Sequence, residues 1–210
     1  MIDSEIAARD YVLAGWGAAA LRDCEFLVDR LQSENERQNL VSRNTLADVW
    51  VRHIADSAQL LAYAPPSTRN WVDIGSGAGF PGLMVAILRR DWSVTLIEPR
   101  RLRVEWLEQM KKELGLETVT VVQSKVERWA GRPYDLISAR AVADLTSLLQ
   151  MTGRLGGRGA KWVFVKGRNA RDEITALPPP LRQAFVFHVE QSLTSSDASI
   201  IVATRAEEPS

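Results

Sequence analysis

The stretch Trp71–Leu83, WVDIGSGAGFPGL, predicts a strand, a glycine turn and the start of a helix. Val72 and Ile74 are β-branched and suit a short buried strand. Three glycines at alternating positions then permit a tight turn and leave the backbone open to a ligand: Gly75, Gly77 and Gly79. Pro81 suits the first turn of a helix, because its missing N–H would be unpaired there anyway. We therefore expect the free N–H groups of this helix to face a carboxylate or a phosphate above the glycines.

The next predicted strand, residues 94–97, ends on an acidic side chain, Glu98. A carboxylate at this distance from a glycine turn is placed to accept hydrogen bonds from ribose hydroxyls. The spacing G-x-G-x-G differs from the dinucleotide fingerprint G-x-G-x-x-G, and no Walker lysine follows it. The pattern therefore favours a nucleoside over a pyrophosphate, with an ordinary turn and a surface glutamate as the alternative.

The composition is typical of a soluble globular protein, with 46% hydrophobic and 25% charged residues in 210. The acidic start, MIDSE, is unlike a signal peptide and no apolar run could span a bilayer, so we expect a cytoplasmic protein without a membrane partner. One cysteine rules out an internal disulfide, and with two histidines besides we expect no metal site. Residues 71–172 carry 17 basic and 11 acidic side chains, which favours phosphate binding; a mixed solvated surface is the alternative.

The chain divides into a helical part and an α/β part. We predict helices over about residues 3–14, 18–35 and 45–63, ended by the junction Pro65-Pro66-Ser67. From Trp71 onward, strands and helices alternate, which is typical of a mostly parallel sheet. After the first two strands we predict helices at about residues 100–114 and 144–155, strands at 119–122, 134–138 and 162–165, a glycine loop at 156–159, and an antiparallel pair at 184–189 and 199–204.

The segment DIGSGAGFPGL, residues 73–83, resembles the cofactor loop of class I S-adenosylmethionine-dependent methyltransferases. Its ending GFPGL resembles one family in particular, the bacterial small-subunit ribosomal RNA guanine-N7 methyltransferases, also called the glucose-inhibited division protein B family. The resemblance extends from about Asn35 to Thr204. It implies an α/β fold with a Rossmann-like, mostly parallel seven-stranded sheet and an antiparallel C-terminal pair, preceded by an N-terminal helical cap. The implied domains are a cap at residues 1–66, packed on the same domain, and an S-adenosylmethionine-binding domain at residues 67–210.

The resemblance also implies S-adenosylmethionine as the cofactor and assigns residues to its site. These residues follow the strand ends: Gly75, Gly77, Gly79, Phe80, Glu98, Val126, Glu127 and Arg140. Val126 would pack on the adenine, and Arg140 would pair with the methionine carboxylate or with an RNA phosphate. From the residues alone, Glu127 remains open as a solvated helix-start residue and Arg140 as part of an internal salt bridge.

Three further residues match family positions near the target base: His53, Asp56 and Lys166. His53 and Asp56 are neighbours at helical spacing and would orient the base or hold the cap on the cofactor domain. A histidine beside an aspartate is more often structural than catalytic. Lys166 closes the fifth strand, where an ordinary surface lysine is the alternative. Leu102 stands where the family has a basic residue, which puts the pattern of RNA contacts after Glu98 in doubt.

The absence of certain motifs limits which atom of a base this protein could methylate. No Asn/Asp-Pro-Pro-Tyr/Phe follows the fourth strand, which disfavours methylation of exocyclic amines, and no cysteine at a strand end offers covalent cytosine-C5 methylation. Guanine N7 carries a lone pair and no proton, so its methylation needs alignment rather than a general base. We therefore expect methyl transfer to guanine N7 of small-subunit (16S) ribosomal RNA, free or in a subunit particle, by a monomer. A small-molecule methyltransferase and a non-catalytic, cofactor-binding RNA chaperone are the alternatives.

Overall fold

A computed structural model describes residues 1–131 and 133–206, which form a seven-stranded sheet covered by helices. The strands are β1 Asn70–Ile74, β2 Ser93–Ile97, β3 Val119–Val122, β4 Tyr134–Arg140, β5 Gly156–Lys166, β6 Phe185–Gln191 and β7 Ser199–Arg205. The α-helices are α1 Glu5–Asn35, α2 Arg43–Leu46, α3 Asp56–Ala58, α4 Gly82–Leu88, α5 Arg101–Glu113, α6 Leu145–Thr152, α7 Ala170–Thr175 and α8 Pro179–Ala184. A π-helical turn, Trp50–Ala55, and a 3₁₀ turn, Gln59–Tyr63, flank α3; further 3₁₀ turns span Val126–Arg128 and Gly153–Leu155.

The strand order is β3-β2-β1-β4-β5-β7-β6. Strands β1 to β5 pair in parallel, whereas β7 runs antiparallel to both of its neighbours, β5 and β6. The predicted seven-stranded sheet with an antiparallel C-terminal pair is therefore confirmed. Chain order reverses at β1, between β2 on one side and β4 on the other, and ligands of open α/β sheets bind at the carboxyl ends of such strands.

Strand register brings the predicted site residues to one edge of the sheet. Ile74 is in register with the last residue of β2 and with Ala139 of β4. The residues that follow these positions in the chain are Gly75, Glu98 and Arg140, so their backbones lie at the same edge. The sheet thus assembles residues that are far apart in the sequence.

Alternate residues of the central strands face two separate hydrophobic cores, as the period of two in a strand requires. Trp71 belongs to the first core, together with buried side chains of α1, α4, α5 and residues 49–60. Val72 and Ile74 belong to the second core, with side chains of α6 and the C-terminal strands. The N-terminal helices therefore share one core with the sheet, while the domain boundary at residue 66 stays a prediction. Within the described residues, no helix is both long and apolar enough to cross a membrane.

The N-terminal helices differ in part from the predicted ones. The break expected between residues 14 and 18 lies at Gly17, whose φ of 82° is left-handed inside the otherwise continuous α1. The predicted regular helix over 45–63 is wrong, because this region contains α2 and then a π-helical, an α-helical and a 3₁₀ segment. The Glu5 carboxylate accepts hydrogen bonds from the Trp50 and Val51 N–H groups, at 3.1 and 2.9 Å. A contact from α1 therefore sets where the second part of this region begins.

The loop predicted at residues 156–159 is also wrong, since these residues are the first part of β5. Gly156 pairs with Tyr134 of β4, and the register shifts between Tyr134 and Leu136 before regular pairing resumes. A bulge of this kind accommodates residues with weak strand propensity, which is why local composition was misleading here.

Candidate active site

The glycine loop, residues 75–79, folds over the end of β2. The N–H groups of Gly75 and Ser76 both donate to the Ile97 carbonyl, at 2.8 and 3.1 Å. Gly75 and Gly77 have φ values of 65° and 56°, a conformation that costs little only for glycine. A Cβ on Gly75 would also lie 2.8 Å from a methyl carbon of Val142. The loop therefore requires glycine for its backbone conformation and for its close approach to Val142.

Glu98 anchors this loop from the end of β2. Its side-chain oxygens accept hydrogen bonds from the Gly77 N–H at 3.0 Å and from the Arg100 N–H at 2.9 Å. Glu98 is only 2% exposed, and one of its carboxylate oxygens also lies 4.0 Å from a guanidinium nitrogen of Arg103. Carboxylate oxygens each have two acceptor positions, so these contacts leave capacity for ribose hydroxyls. The ribose contact itself stays a prediction.

Asp73 is a residue of this site that the sequence analysis did not single out. It is fully buried in β1, where its oxygens accept from the Ser138 hydroxyl at 2.8 Å and from the Gly82 N–H at 3.1 Å. Burial raises the pKa of Asp73 to about 6, against the opposing effect of these hydrogen bonds. A charged residue between Val72 and Ile74 in a buried strand was the signal that could have identified it.

The contact with Asp73 corrects one expectation about α4. The Gly82 N–H, which was expected to face a ligand, instead donates to the buried Asp73 carboxylate. The N–H group at the start of α4 thus has a hydrogen-bond partner within the protein. The backbone that remains available to a ligand is that of the glycine loop.

Arg140 lies at the end of β4 and joins the helical cap to the sheet. Its guanidinium donates to Nδ1 of His53 at 2.9 Å and to the Arg52 carbonyl at 3.0 Å, and it lies 3.4 Å from the Asp56 carboxylate. The His53 ring stacks on Phe80 with ring centroids 5.2 Å apart. The Arg140 guanidinium is 5.4 Å from the same ring, within the range of a cation–π contact.

The contacts of His53 fix its protonation state. A guanidinium can only donate, so Nδ1 must accept, and Nε2 carries the proton and donates to the Thr45 hydroxyl at 2.9 Å. Burial, with the charges of Arg140 and Arg52, lowers the pKa of His53 to about 3. The ring is therefore neutral at physiological pH, and its basic nitrogen is already occupied by Arg140.

Asp56 extends the same network to the turn between β6 and β7. One carboxylate oxygen accepts from the Thr194 hydroxyl at 2.8 Å and from the Gln59 side-chain amide at 2.9 Å. The Gln59 carbonyl oxygen in turn accepts from the Leu193 N–H at 2.8 Å. We call the set His53, Asp56, Arg140 and Thr194 the cap junction. No sequence pattern indicated the contribution from Thr194, since nothing local relates it to residue 56.

A cavity of about 450 Å³ lies between the glycine loop and the cap junction. Its lining contains six residues predicted for the site: His53, Asp56, Gly75, Gly77, Phe80 and Arg140. The lining also contains two arginines and a strand-end residue that the sequence analysis did not assign: Arg52, Arg103 and Ala141. This volume is in the usual range for small-molecule and cofactor sites. We call this space the cofactor cavity.

The other five predicted residues do not line the cofactor cavity: Gly79, Glu98, Val126, Glu127 and Lys166. Glu98 is buried against the loop that it anchors. Gly79 supports the loop from behind, since a Cβ there would lie 2.3 Å from the Leu83 side chain. Val126 is buried in the second core, and Glu127 is exposed beside it. Their roles beside the adenine therefore stay predictions, which the shape of this cavity does not support.

Lys166 also lies outside the cofactor cavity. Its ammonium donates to the Ala143 carbonyl and to the Glu173 carboxylate, both at 2.8 Å. The same Glu173 oxygen accepts from the Leu145 N–H at 2.6 Å. Lys166 thus holds the segment that follows β4, and its role beside the target base stays a prediction.

The geometry fits a nucleoside that carries a carboxylate. The loop offers glycine backbone where a Cβ would close the space, and Arg52, Arg103 and Arg140 give the lining a positive excess over Asp56. This sheet order, with a glycine loop after β1 and an acidic residue after β2, defines the class I S-adenosylmethionine-dependent methyltransferases. A solved relative in fold, the ribosomal protein L11 methylase from Lactobacillus delbrueckii subsp. bulgaricus, has a TM-score of 0.60 at 13% identity, covering 73% of this chain and 78% of its own.

Sequence comparison identifies the family within this class. The profile of the GidB family, rRNA small subunit methyltransferase G, matches residues 20–206. The ribosomal RNA small subunit methyltransferase G of Erythrobacter litoralis is 47% identical over 202 residues, which cover 96% of this chain and 97% of that one. The enzyme of the same name from Novosphingobium aromaticivorans is 47% identical over 186 residues, 88% of this chain and 80% of that one. The chain belongs to the rRNA small subunit methyltransferase G family, and its cofactor is S-adenosylmethionine.

Proposed function

We propose that this protein transfers the methyl group of S-adenosylmethionine to N7 of a guanine in small-subunit ribosomal RNA. Membership of the family and the names of its relatives support the RNA substrate. The observation that carries the choice of atom is the state of the cap junction, in which both predicted catalytic side chains at the cavity are already engaged. Nδ1 of His53 accepts from Arg140, and Asp56 accepts from Thr194, Gln59 and Arg140.

A reaction at guanine N7 does not need a proton acceptor. The N7 lone pair attacks the methyl carbon directly, so no N–H or O–H bond must break first. When bound, S-adenosylmethionine supplies a methyl group on a sulfonium, whose C–S electron pair stays with sulfur as the positive charge passes to the guanine ring. The junction side chains are suited to positioning rather than to proton transfer, because the low pKa of His53 leaves it neutral.

The residues of this chain then have separable roles in the proposal. Gly75 and Gly77 provide backbone against which the cofactor lies. Glu98 holds that backbone through the Gly77 N–H, and in this proposal its remaining acceptor positions receive the ribose hydroxyls. Arg140 fixes the cap against the sheet through His53 and Asp56. The remaining guanidinium N–H groups of Arg140 are available to a carboxylate. The stacked rings of Phe80 and His53, which lie between the loop and the cap, exclude water from the cofactor cavity.

The setting of the reaction is also part of the proposal. A ribosomal substrate would place the enzyme in the cytoplasm, and we propose a monomer that acts on ribosomal RNA or on a subunit particle. The basic excess of residues 71–172 supports contact with RNA phosphates. Neither a small-molecule substrate nor a non-catalytic chaperone role is favoured by the family match.

Methyl transfer to small ribosomal subunits from cells that lack this gene tests the function. We expect incorporation of one labelled methyl group per subunit, recovered as 7-methylguanosine after digestion and mass spectrometry. Transfer to another base or another ring atom would refute the assignment to guanine N7. Binding of labelled S-adenosylmethionine without transfer to any ribosomal substrate would instead favour the non-catalytic alternative.

A further inference from the structure

A second cavity, of about 430 Å³, adjoins the cofactor cavity. It lies between the carboxyl ends of β4 and β5 and the turn that connects β6 to β7. Five residues line both cavities: Arg52, Arg140, Ala141, Ser195 and Ala198. The two spaces therefore meet along a common wall, where three of the five side chains are small.

A methyl donor and its acceptor must approach each other within van der Waals distance in a direct transfer. If the donor occupies the cofactor cavity, the acceptor must approach across the common wall. Ala141 belongs to this wall and has a φ of 55°, an unusual conformation for a residue other than glycine. Such strain is concentrated at functional sites, where the surrounding structure must maintain it.

The cations around the second cavity are not equally available. Arg140 and Lys166 are engaged, Arg140 with the cap junction and Lys166 with Glu173 and the Ala143 carbonyl. The exposed Arg52 side chain, by contrast, makes no hydrogen bond or ion pair with any residue in 1–131 or 133–206. It lines both cavities together with Arg140 of the cap junction. An arginine in this situation suits a phosphate group at the rim of the cavity.

One acidic residue, Asp197, also lines the second cavity. Its Oδ2 atom accepts from Arg168 at 2.7 Å, and this contact leaves the other oxygen open to a ligand. The Watson–Crick edge of guanine carries two adjacent donors, the N1–H and the N2 amino group, which match a carboxylate. Adenine presents an acceptor at N1, which would face the carboxylate unfavourably. A negative charge here would also stabilise the positive charge that a guanine ring acquires on N7 methylation.

We propose that the second cavity is the subsite for the target guanosine, with Arg52 binding its phosphate and Asp197 accepting hydrogen bonds from guanine N1–H and the N2 amino group. This inference rests on the proposed function and adds to it the residues that select the nucleotide.

The contribution of Arg52 is tested by RNA binding with the Arg52→Gln variant of the full protein. The substitution keeps the Arg52 carbonyl that Arg140 uses, so the cap junction remains intact. We expect weaker binding to small ribosomal subunits, and a plot of log affinity against log salt whose slope is reduced by about one. Arg22→Gln, at an exposed arginine of α1 outside both cavities, is the matched control. Identical affinity and slope for Arg52→Gln and this control would overturn the role of Arg52.

The contribution of Asp197 is tested with Asp197→Asn and a modified base. After the methylated position has been mapped, inosine, which lacks the N2 amino group, is placed there in the ribosomal RNA. We expect Asp197→Asn to slow single-turnover transfer to guanosine by about tenfold or more, and to slow transfer to inosine clearly less. An equal loss on guanosine and inosine would overturn the assignment.

Two further variants separate base recognition from loss of an ion pair. Asp91→Asn is matched, because Asp91 also pairs with an arginine and its side chain is 60% exposed, against 58% for Asp197. Arg168→Gln removes the partner of Asp197 while keeping its carboxylate. We expect near-parental transfer by Asp91→Asn and a smaller loss for Arg168→Gln than for Asp197→Asn. A loss in Arg168→Gln as large as in Asp197→Asn would show that only the ion pair matters.

These outcomes are distinct from a failure of the proposed function. If the parent protein transfers no methyl group to guanine in small-subunit RNA, the proposed function falls and this inference falls with it. If the parent transfers normally while Arg52→Gln and Asp197→Asn behave like their controls, only the guanosine subsite is refuted.

Discussion

The glycine loop and the cap junction face each other across the cofactor cavity, yet they are built in different ways. The loop consists of consecutive residues, and its contacts are mainly backbone N–H groups that donate to Ile97 and Glu98. The junction consists of side chains from three distant segments, with Asp56 and Thr194 separated by 138 positions in the sequence. The loop therefore depends on local conformation, whereas the junction depends on the whole fold being assembled.

The two regions should therefore respond differently to substitution. A change in the loop alters the surface on which the cofactor lies, so binding should suffer first. A change in the junction moves the cap relative to the sheet and leaves the loop in place, so alignment of the acceptor should suffer first. Three predictions test this separation and one tests the buried carboxylate of β1 beside the loop, in order of decreasing expected effect.

Gly75→Val should abolish measurable binding of S-adenosylmethionine. The new side chain would be strained at a φ of 65° and would meet Val142. Gly159→Val is the matched control, since its φ is 75° but no atom lies within 4 Å of a Cβ there. Calorimetric titration, with circular dichroism to confirm folding, is the measurement. Parental affinity in a folded Gly75→Val protein would remove the loop from the cofactor site.

Asp73→Asn should change how stability depends on pH. Burial raises the pKa of Asp73 to about 6 from its usual 3.8, so the folded state holds this proton more tightly than the unfolded state. Its contribution to the free energy of unfolding is therefore full below about pH 4 and lost as the pH rises through about 6. We expect the parent to lose about 3 kcal/mol more than Asp73→Asn across this window. Denaturant unfolding at several pH values measures it, and parallel curves would contradict the assignment.

His53→Ala should slow single-turnover methyl transfer by about 10²-fold, because the cap loses one of its three contacts with Arg140 and the ring that stacks on Phe80. Since the pKa of His53 is lowered to about 3, this deficit should be the same at pH 6 and pH 8. Affinity for S-adenosylmethionine should change far less than the rate. His188→Ala, at an exposed histidine of β6, is the control. An ionisation near pH 6.5 that vanishes only in His53→Ala would identify a general base, and the guanine-N7 proposal would have to be abandoned.

Glu98→Ala should weaken binding of S-adenosylmethionine and of its demethylated product to a similar extent, by about tenfold. Both ligands have the same ribose, and the Gly77 anchor is lost equally for both. Glu105→Ala, at an exposed glutamate of α5, serves as the control. Reduced turnover at saturating cofactor, with unchanged affinity, would show that Glu98 acts in methyl transfer and not in cofactor binding. The loop would then not be a region that affects binding alone.

Prediction from the sequence succeeded where structure is local. The positions of the central strands and of α5 followed from periodicity, and Gly115, just after α5, has the left-handed φ of 60° that is common where helices end. It failed for residues 45–63, where α2 is followed by π-helical, α-helical and 3₁₀ segments and a carboxylate from α1 accepts hydrogen bonds at the start of the π-helical one. It also failed for residues 156–159, where pairing with β4 overrides the weak strand propensity of glycine.

The candidate site shows the same division. Gly75, Gly77, Phe80 and Arg140 were predicted from short motifs and line one cavity, because the conformation of a glycine turn and the end of a strand are set by adjacent residues. Asp73 was overlooked although its sequence context, a carboxylate within a buried strand, was available. Val126 and Glu127 were assigned by resemblance alone, and the cofactor cavity does not reach them.

The sequence by itself determined the class of fold, the family and the glycine loop, since these depend on periodicity and on consecutive residues. Only the tertiary structure decided that His53 accepts a hydrogen bond from Arg140, that Thr194 completes the cap junction, and that a second cavity lies beside Arg52. The physical reason is that a protonation state or a cavity depends on side chains brought together from distant segments. Their burial and charges exist only after the chain has folded.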